Sequence, residues 1–316
     1  MAAHALYRRA IPSAARITHW NAPDGWTHRR FDWPAADGGR TRGAMLFQVG
    51  RGDIFEKYLE SFAHWRACGW SITSFDWRGQ GGSGRLTDDP HCGHIDSFDT
   101  YVDDLAAFAG EWQAQVKGPY VLIGHSMGGH LVLRALAEGR VAADAAVLVA
   151  PMLGLKAPIS AGFGERAAGL LARLGPRARR AWRSNERPYT RRARQSLLTS
   201  DAARYEDELW WQAANPAHVA GPPSWAWMVE AFRSTRELLA SPALATLDVP
   251  VQLLVADKDA LVDPRAALKA AERLKRATLV RFGAEARHEL LREADPVRNR
   301  AIAEIDRFLA EALAAA

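Results

Sequence analysis

Residues 118–135, GPYVLIGHSMGGHLVLRA, constrain this chain more than any other stretch. Tyr120, Val121, Leu122 and Ile123 make an apolar run of the length expected for a buried strand. Leu131, Val132, Leu133 and Ala135 suit a helix, and Gly124-His125-Ser126-Met127-Gly128 lies between the two. Gly-x-Ser-x-Gly at a strand-to-helix turn is the setting of a nucleophile elbow, in which a strained backbone lifts the serine hydroxyl clear of its neighbours. Glycine is required at 124 and 128 because side chains there would collide with adjacent elements. The turn also puts Ser126 at a helix N-terminus, where free N–H groups and the dipole favour developing negative charge. The five-residue pattern is common by chance, and an inert serine in a glycine-rich turn is the plain alternative. The strand before it and the helix after it supply the specificity.

Strands and helices alternate on both sides of this turn. Residues 25–33 read as an early strand and 43–49 as a central one. A helix is expected to follow, with Asp53 and Glu56 as a capping box and Ile54, Phe55, Tyr58, Leu59, Phe62 and Trp65 on its apolar face. Residues 70–75 form the next strand, and Tyr101, Val102, Leu105, Phe108 and Trp112 mark a second helix. Beyond the elbow, residues 145–150 form a short buried strand ending at Pro151. Alternation resumes at 249–256, with a strand at 277–282 and helices opened by Asp263-Pro264 and Asp295-Pro296. The expected class is α/β, a mostly parallel sheet covered by helices on both faces. Between Pro151 and Pro242 the chain is rich in Arg, Trp and Pro and has no good strand. We read residues 151–242 as an inserted helical cap on a core of 1–150 and 243–316.

Composition bears mainly on location and partners. Cys68 and Cys92 are the only cysteines, so no disulfide framework is implied and a reducing compartment is allowed. Arg8 and Arg9 are not followed by an apolar run, and no run approaches a membrane span. The expectation is a cytoplasmic protein. Residues 166–194 hold ten arginines and one acid, Glu186, a local charge of +9 in a chain whose total is +5. The insertion also carries Trp182, Trp210, Trp211, Trp225 and Trp227. Tryptophan with arginine suits an anionic lipid surface, which would make the protein peripheral to the inner membrane face. The alternative is a cap whose tryptophans form its own core and whose arginines are solvated. No nucleic-acid reader motif accompanies the arginines.

A serine hydroxyl needs a base, and the base needs an acid to hold its tautomer. On such a sheet the chain order is Ser, then Asp or Glu, then His. Of the histidines after Ser126, His130 lies on the elbow helix and His218 in the insertion. His288 follows the last strand, at the sheet edge where ligands bind, and is the expected base. The loop 257–263 offers three acids. Asp263 is explained as a helix cap, Asp257 leaves the strand at once, and Asp259 lies further round the loop, within reach of His288. Asp259 is the first candidate and Asp257 the second. Two backbone N–H donors should face the developing oxyanion, those of Met127 and of Arg51, which sits between Gly50 and Gly52. His91-Cys92-Gly93-His94 has metal-ligand residue types but no second cluster. The glycine-rich run 79–84 lacks the Lys-Ser/Thr pair of a phosphate cradle. No cofactor is expected.

Taken together, Gly124-His125-Ser126-Met127-Gly128-Gly129, Asp76-x-Arg78-Gly79-x-Gly81-x-Ser83, the Asp259 loop and Arg287-His288-Glu289 resemble the α/β-hydrolase fold. Within it they are similar to the monoacylglycerol lipase/lysophospholipase group, also described as serine aminopeptidase S33-like hydrolases. Glu56-Lys57-Tyr58 and His288-Glu289-Leu290-Leu291-x-Glu293 resemble bacterial lysophospholipases of the L2 type. The resemblance implies hydrolysis of a carboxylic ester, most naturally that of a monoacyl lipid, with a small-ester or peptide-amide hydrolase as the enzymatic alternative. A non-catalytic lipid- or protein-binding module is the alternative from another class. One position departs from the pattern: Val49-Gly50 stands where monoacylglycerol lipases usually carry His-Gly.

Overall fold

The computed structural model describes residues 7–36, 41–156, 161–182 and 191–314. Eight strands run in chain order as β1 (Arg16–Asn21), β2 (Thr27–Trp33), β3 (Gly43–Gln48), β4 (Trp70–Phe75), β5 (Tyr120–His125), β6 (Ala145–Val149), β7 (Val251–Ala256) and β8 (Ala277–Phe282). They form one sheet in the order β1-β2-β4-β3-β5-β6-β7-β8. β1 and β2 pair antiparallel, as do β2 and β4, and every later pair is parallel. β3, β6 and β7 are buried at every residue, as expected where helices cover both faces.

The helices around the sheet are α1 (Leu59–Ala67), α2 (Phe98–Gln115) and α3 (Met127–Ala137). Between β6 and β7 come α4 (Ala161–Arg173), α5 (Arg191–Leu198), α6 (Ala202–Ala214), α7 (Trp225–Ala240) and the short α8 (Ala243–Thr246). The chain closes with α9 (Pro264–Arg273) and α10 (Asp295–Ala314). The chain steps one way from β3 to β4 and the other way from β4 to β5 and onward. Right-handed crossovers therefore put α1 on one face and α2, α3 and α9 on the other. In agreement, α2 packs on α3, α3 on α8, and α8 on α9. The strand order reverses at β3, so the carboxyl ends of β3 and β5 open a crevice of the kind that receives ligands. Gln48, the last residue of β3, pairs with Gly124 of β5 at that edge.

Three local expectations are corrected. Asp53 and Glu56 form no capping box: a 3₁₀ turn, Phe55–Tyr58, precedes α1, and no side chain caps it. Glu56 instead takes both amino groups of Arg29 at 2.7 and 2.9 Å, and a buried bidentate partner outcompetes a single N–H. Asp295 begins α10, but its carboxylate receives Arg204 Nη2 at 2.6 Å. β1 was not expected, because its residues are mostly polar and all but Trp20 are exposed at the sheet's edge. Asp263 does cap α9, accepting from Arg265 N at 3.0 Å.

Candidate active site

Ser126 joins β5 to α3 with φ 54° and ψ −118°, a left-handed backbone on a non-glycine residue. Close packing holds it there. A Cβ at Gly128 would lie 2.3 Å from the Gln48 carbonyl oxygen and 2.5 Å from that of Val49; one at Gly124 would lie 2.6 Å from the Gly128 carbonyl. The helix start is thereby pressed against the end of β3. Ser126 N donates to Val149 O at 3.0 Å, and Ser126 O accepts from Met152 N at 2.9 Å. Gly128→Ala is expected to destabilise the fold by roughly 1–3 kcal/mol, since backbone must move to relieve the clash. Thermal unfolding measures this, and an unchanged Tm would contradict it.

His288 Nδ1 lies 2.6 Å from Asp259 Oδ2, with both groups buried. The loop that carries Asp259 is shaped around its carboxylate, whose Oδ1 accepts from Leu261 N at 2.8 Å and Val262 N at 3.1 Å. Burial would raise the pKa of Asp259, but the His288 charge and these hydrogen bonds outweigh it and hold the carboxyl below its ordinary range. For His288, burial alone disfavours the cation, yet the adjacent Asp259 carboxylate carries the imidazole above its usual pKa. Asp257 points elsewhere, to Arg281 on the surface at 3.0 Å. His130 is buried against Ser234 Oγ at 2.7 Å, and burial pushes its pKa down to about 3. His218 ends a 3₁₀ turn between α6 and α7.

The loop after β3 lies directly against the elbow, since a Cβ at Gly50 would be 3.2 Å from both His125 Nδ1 and Ser126 Cβ. Gly52 (φ 63°) donates its N–H to Gln80 Oε1, so the glycine-rich turn that follows β4 supports this loop. Arg51 extends its side chain away, donating to Gly221 O at 2.9 Å and lying over the Trp227 ring. Arg51 lines the same cavity as Ser126, and Met127 opens α3 directly after the serine. Ser126 and His288 both line a cavity of about 560 Å³. Met152, Leu155, Met228 and Phe232 line it, and so do Asp53, Lys57 and Glu289.

The family model described as serine aminopeptidase, S33, matches residues 39–295. The chain belongs to that family. Lysophospholipase L2 of Escherichia coli is 33% identical over 225 residues, 68% of this chain and 63% of the relative, so the chain spans a little under two thirds of that protein. Probable lysophospholipase L2 of Haemophilus influenzae is 28% identical over 275 residues, 85% of this chain and 84% of the relative. Among solved structures, a soluble variant of the Saccharomyces cerevisiae monoglyceride lipase, bound to a substrate analogue, aligns with a TM-score of 0.75 at 21% identity, over 95% of this chain and 96% of its own. The Paleococcus ferrophilus monoacylglycerol lipase gives 0.68 at 19%, over 89% and 98%. The fold is the α/β-hydrolase fold.

Other residues of this S33 family member fall outside the expected set. His91, Cys92 and His94 each find a separate partner: Val219 O at 3.4 Å, Ala178 O at 3.2 Å and Ser224 Oγ at 2.8 Å. They tie the loop before α2 to the segment between β6 and β7. Among the described residues, His64, Cys68 and Asp306 bring metal-type ligand atoms within 4.8 Å of one another. His64 Nε2 and Asp306 Oδ2 are hydrogen-bonded there at 2.7 Å, and none of the three lines the cavity. Sequence reasoning missed a buried set of charges beside His288, centred on Lys57. The acids and bases in it come from distant segments, and no local pattern announces them. Arg180 and Arg194 of the basic segment pair with Asp89 and Glu208, while Arg183, Glu186 and Arg187 lie outside the described residues.

Proposed function

We propose that this protein is a serine hydrolase that cleaves the ester of a monoacyl lipid, a lysophospholipid or a monoacylglycerol, through an acyl-enzyme. The observation that carries this reading is the 2.6 Å contact of His288 Nδ1 with Asp259, beside a cavity that His288 shares with Ser126. With Nδ1 held by the carboxylate, Nε2 is the nitrogen left to take the Ser126 proton. Ser126 Oγ attacks the acyl carbonyl, and the N–H groups of Met127 and Arg51 receive the negative charge on its oxygen. His288 passes the proton to the departing alcohol. A water molecule then gives up a proton to His288 and its oxygen to the acyl carbon, releasing a fatty acid and restoring Ser126. The apolar walls at Met152, Leu155, Met228 and Phe232 suit an acyl chain, and the names of the relatives point the same way.

A panel of lysophospholipids, monoacylglycerols, short nitrophenyl esters and peptide amides tests the substrate class. Preference for the monoacyl lipids is expected. Turnover of peptide amides alone would return the reading to an aminopeptidase. Failure of a fluorophosphonate to label Ser126 would leave a binding module.

In this reading residues 151–242 are a helical cap over a core of 1–150 and 243–316, and the cap meets anionic lipid. Leu170 and Leu174 are 62% and 70% exposed, and Trp182 is 43% exposed. Arg166, Arg173 and Arg177 are exposed in the same stretch. Arg179 and Arg180 suit this role less, since Arg179 covers the Trp225 ring and Arg180 is paired with Asp89. Each arginine near an anionic bilayer contributes about 1 kcal/mol. Replacing Arg166, Arg173 and Arg177 with Gln is therefore expected to weaken vesicle binding by about 100-fold at low salt. Hydrolysis of a short soluble ester should barely change. If wild type does not sediment with anionic vesicles at low salt, the cap arginines are only a solvated face.

No helix among the described residues is long and apolar enough to cross a membrane.

A further inference from the structure

A triad mechanism makes no use of the charges packed behind His288, and burying them is costly unless they are paired. Lys57, on the 3₁₀ turn before α1, is their hub. Its Nζ lies 2.8 Å from Asp53 Oδ1, 3.0 Å from Glu208 Oε2 and 2.7 Å from Glu289 Oε1. All four side chains are at most 5% exposed. Arg292, equally buried, bonds Glu289 and lies 3.0 Å from Glu208, and Arg194 reaches Glu208 from α5 at 3.0 Å. Three carboxylates thus meet three cations.

Each acid of this cluster belongs to a different part of the site. Asp53 ends the oxyanion-side loop and accepts the Tyr58 hydroxyl at 2.6 Å; that hydroxyl also lies 3.0 Å from His125 Nδ1. His125 precedes Ser126, and its Nε2 approaches the His288 carbonyl oxygen at 3.4 Å. Glu289 follows His288 in the chain. Glu208 sits on α6 of the insertion. One ammonium therefore ties together the elbow, the histidine loop and the insertion.

We propose that Lys57 is a positioning residue for the hydrolytic site, holding the His288 loop in register with the elbow and balancing the carboxylates around the imidazole. This inference rests on the triad reading above. Asp259 from the loop after β7 and Asp53 beside the oxyanion loop act on the His288 charge, His125 at the end of β5 packs against its ring, Tyr58 bonds Asp53 and His125, and Lys57 lines the same cavity. Glu289 acts on it from its own loop, Arg194 lines the cavity from α5, and Arg292 and Glu208 complete the cluster through Glu289 and Lys57. Carboxylates stabilise the imidazolium and cations oppose it. Removing the positive charge at 57 leaves the surroundings more negative, so the imidazole holds its proton to higher pH. Removing the negative charge at 289 does the reverse.

The test is the pH profile of kcat/KM on a short soluble ester, with active sites counted by fluorophosphonate titration so that only folded enzyme is scored. Lys57→Gln is expected to move the acid limb up by about half a pH unit and Glu289→Gln to move it down by a similar amount. Lys57→Gln should also lower kcat by about tenfold or more with KM nearly constant, and Lys57→Arg should recover most of that loss. Should Lys57→Gln yield no folded enzyme, Glu289→Gln and Lys57→Arg still decide the matter, since the proposal requires a downward limb in the first and a near-wild-type limb in the second. Acid limbs that stay in place, or that move together, would overturn it. Normal Ser126 labelling alongside unmoved limbs sinks this inference alone, whereas absent labelling in wild type sinks the triad reading.

Discussion

Ser126→Ala is expected to lower kcat for a soluble ester by about four to six orders of magnitude, because no covalent acyl-enzyme can form without the hydroxyl. Removal of the nucleophile alone costs about as much as removal of the whole set, so little activity should survive in the remaining groups. The fold should not suffer. Alanine meets the same φ of 54° that serine already tolerates, and the backbone bonds to Val149 and Met152 remain. Circular dichroism and Tm should therefore match wild type. Retention of more than about a tenth of the wild-type kcat in purified enzyme would rule out Ser126 as nucleophile.

Asp259→Asn is the second large effect, a fall in kcat of about four orders of magnitude. An amide presents either an N–H or a neutral oxygen to His288 Nδ1, and neither fixes the proton on Nδ1 as a carboxylate does. The pH profile should change as well. In the proposed mechanism the neutral imidazole is the active base, so kcat/KM should rise with pH as His288 loses its proton. Burial works against the cation and Asp259 works for it, with the carboxylate prevailing in the folded protein. In wild type the acid limb should thus lie above the ordinary histidine value of about 6.5. Without the Asp259 carboxylate its contributions are lost and burial weighs more heavily against the cation, so the residual activity of Asp259→Asn should show its limb at lower pH. Asp257→Asn should leave kcat within about twofold, since it loosens only an exposed pair with Arg281. The reverse ranking of the two variants would move the acid to Asp257.

What the sequence determined by itself was set by short-range sterics and periodicity. Gly-x-Ser-x-Gly between an apolar run and a helical one has few conformations open to it, and Gly124 and Gly128 sit where any Cβ would strike backbone within 2.6 Å. The α/β class, the buried central strands and the Asp263 cap of α9 follow from the same local rules. For the acid, the sequence reduced the choice to one loop. There the sequence ranks Asp259 ahead of Asp257, and folding turns the first inward onto His288 and the second outward onto Arg281. Tertiary structure alone also decided the fate of the long charged side chains. Asp53 and Glu56 look like a helix start four residues long, yet one pairs with Lys57 and the other with Arg29. Glu208 and Glu289, 81 positions apart by their numbering, share one ammonium, and the basic segment is partly neutralised by Asp89 and Glu208. The reason is physical. A backbone turn is fixed by atoms within a few residues, whereas a buried charge takes whichever opposite charge the packed fold brings within reach.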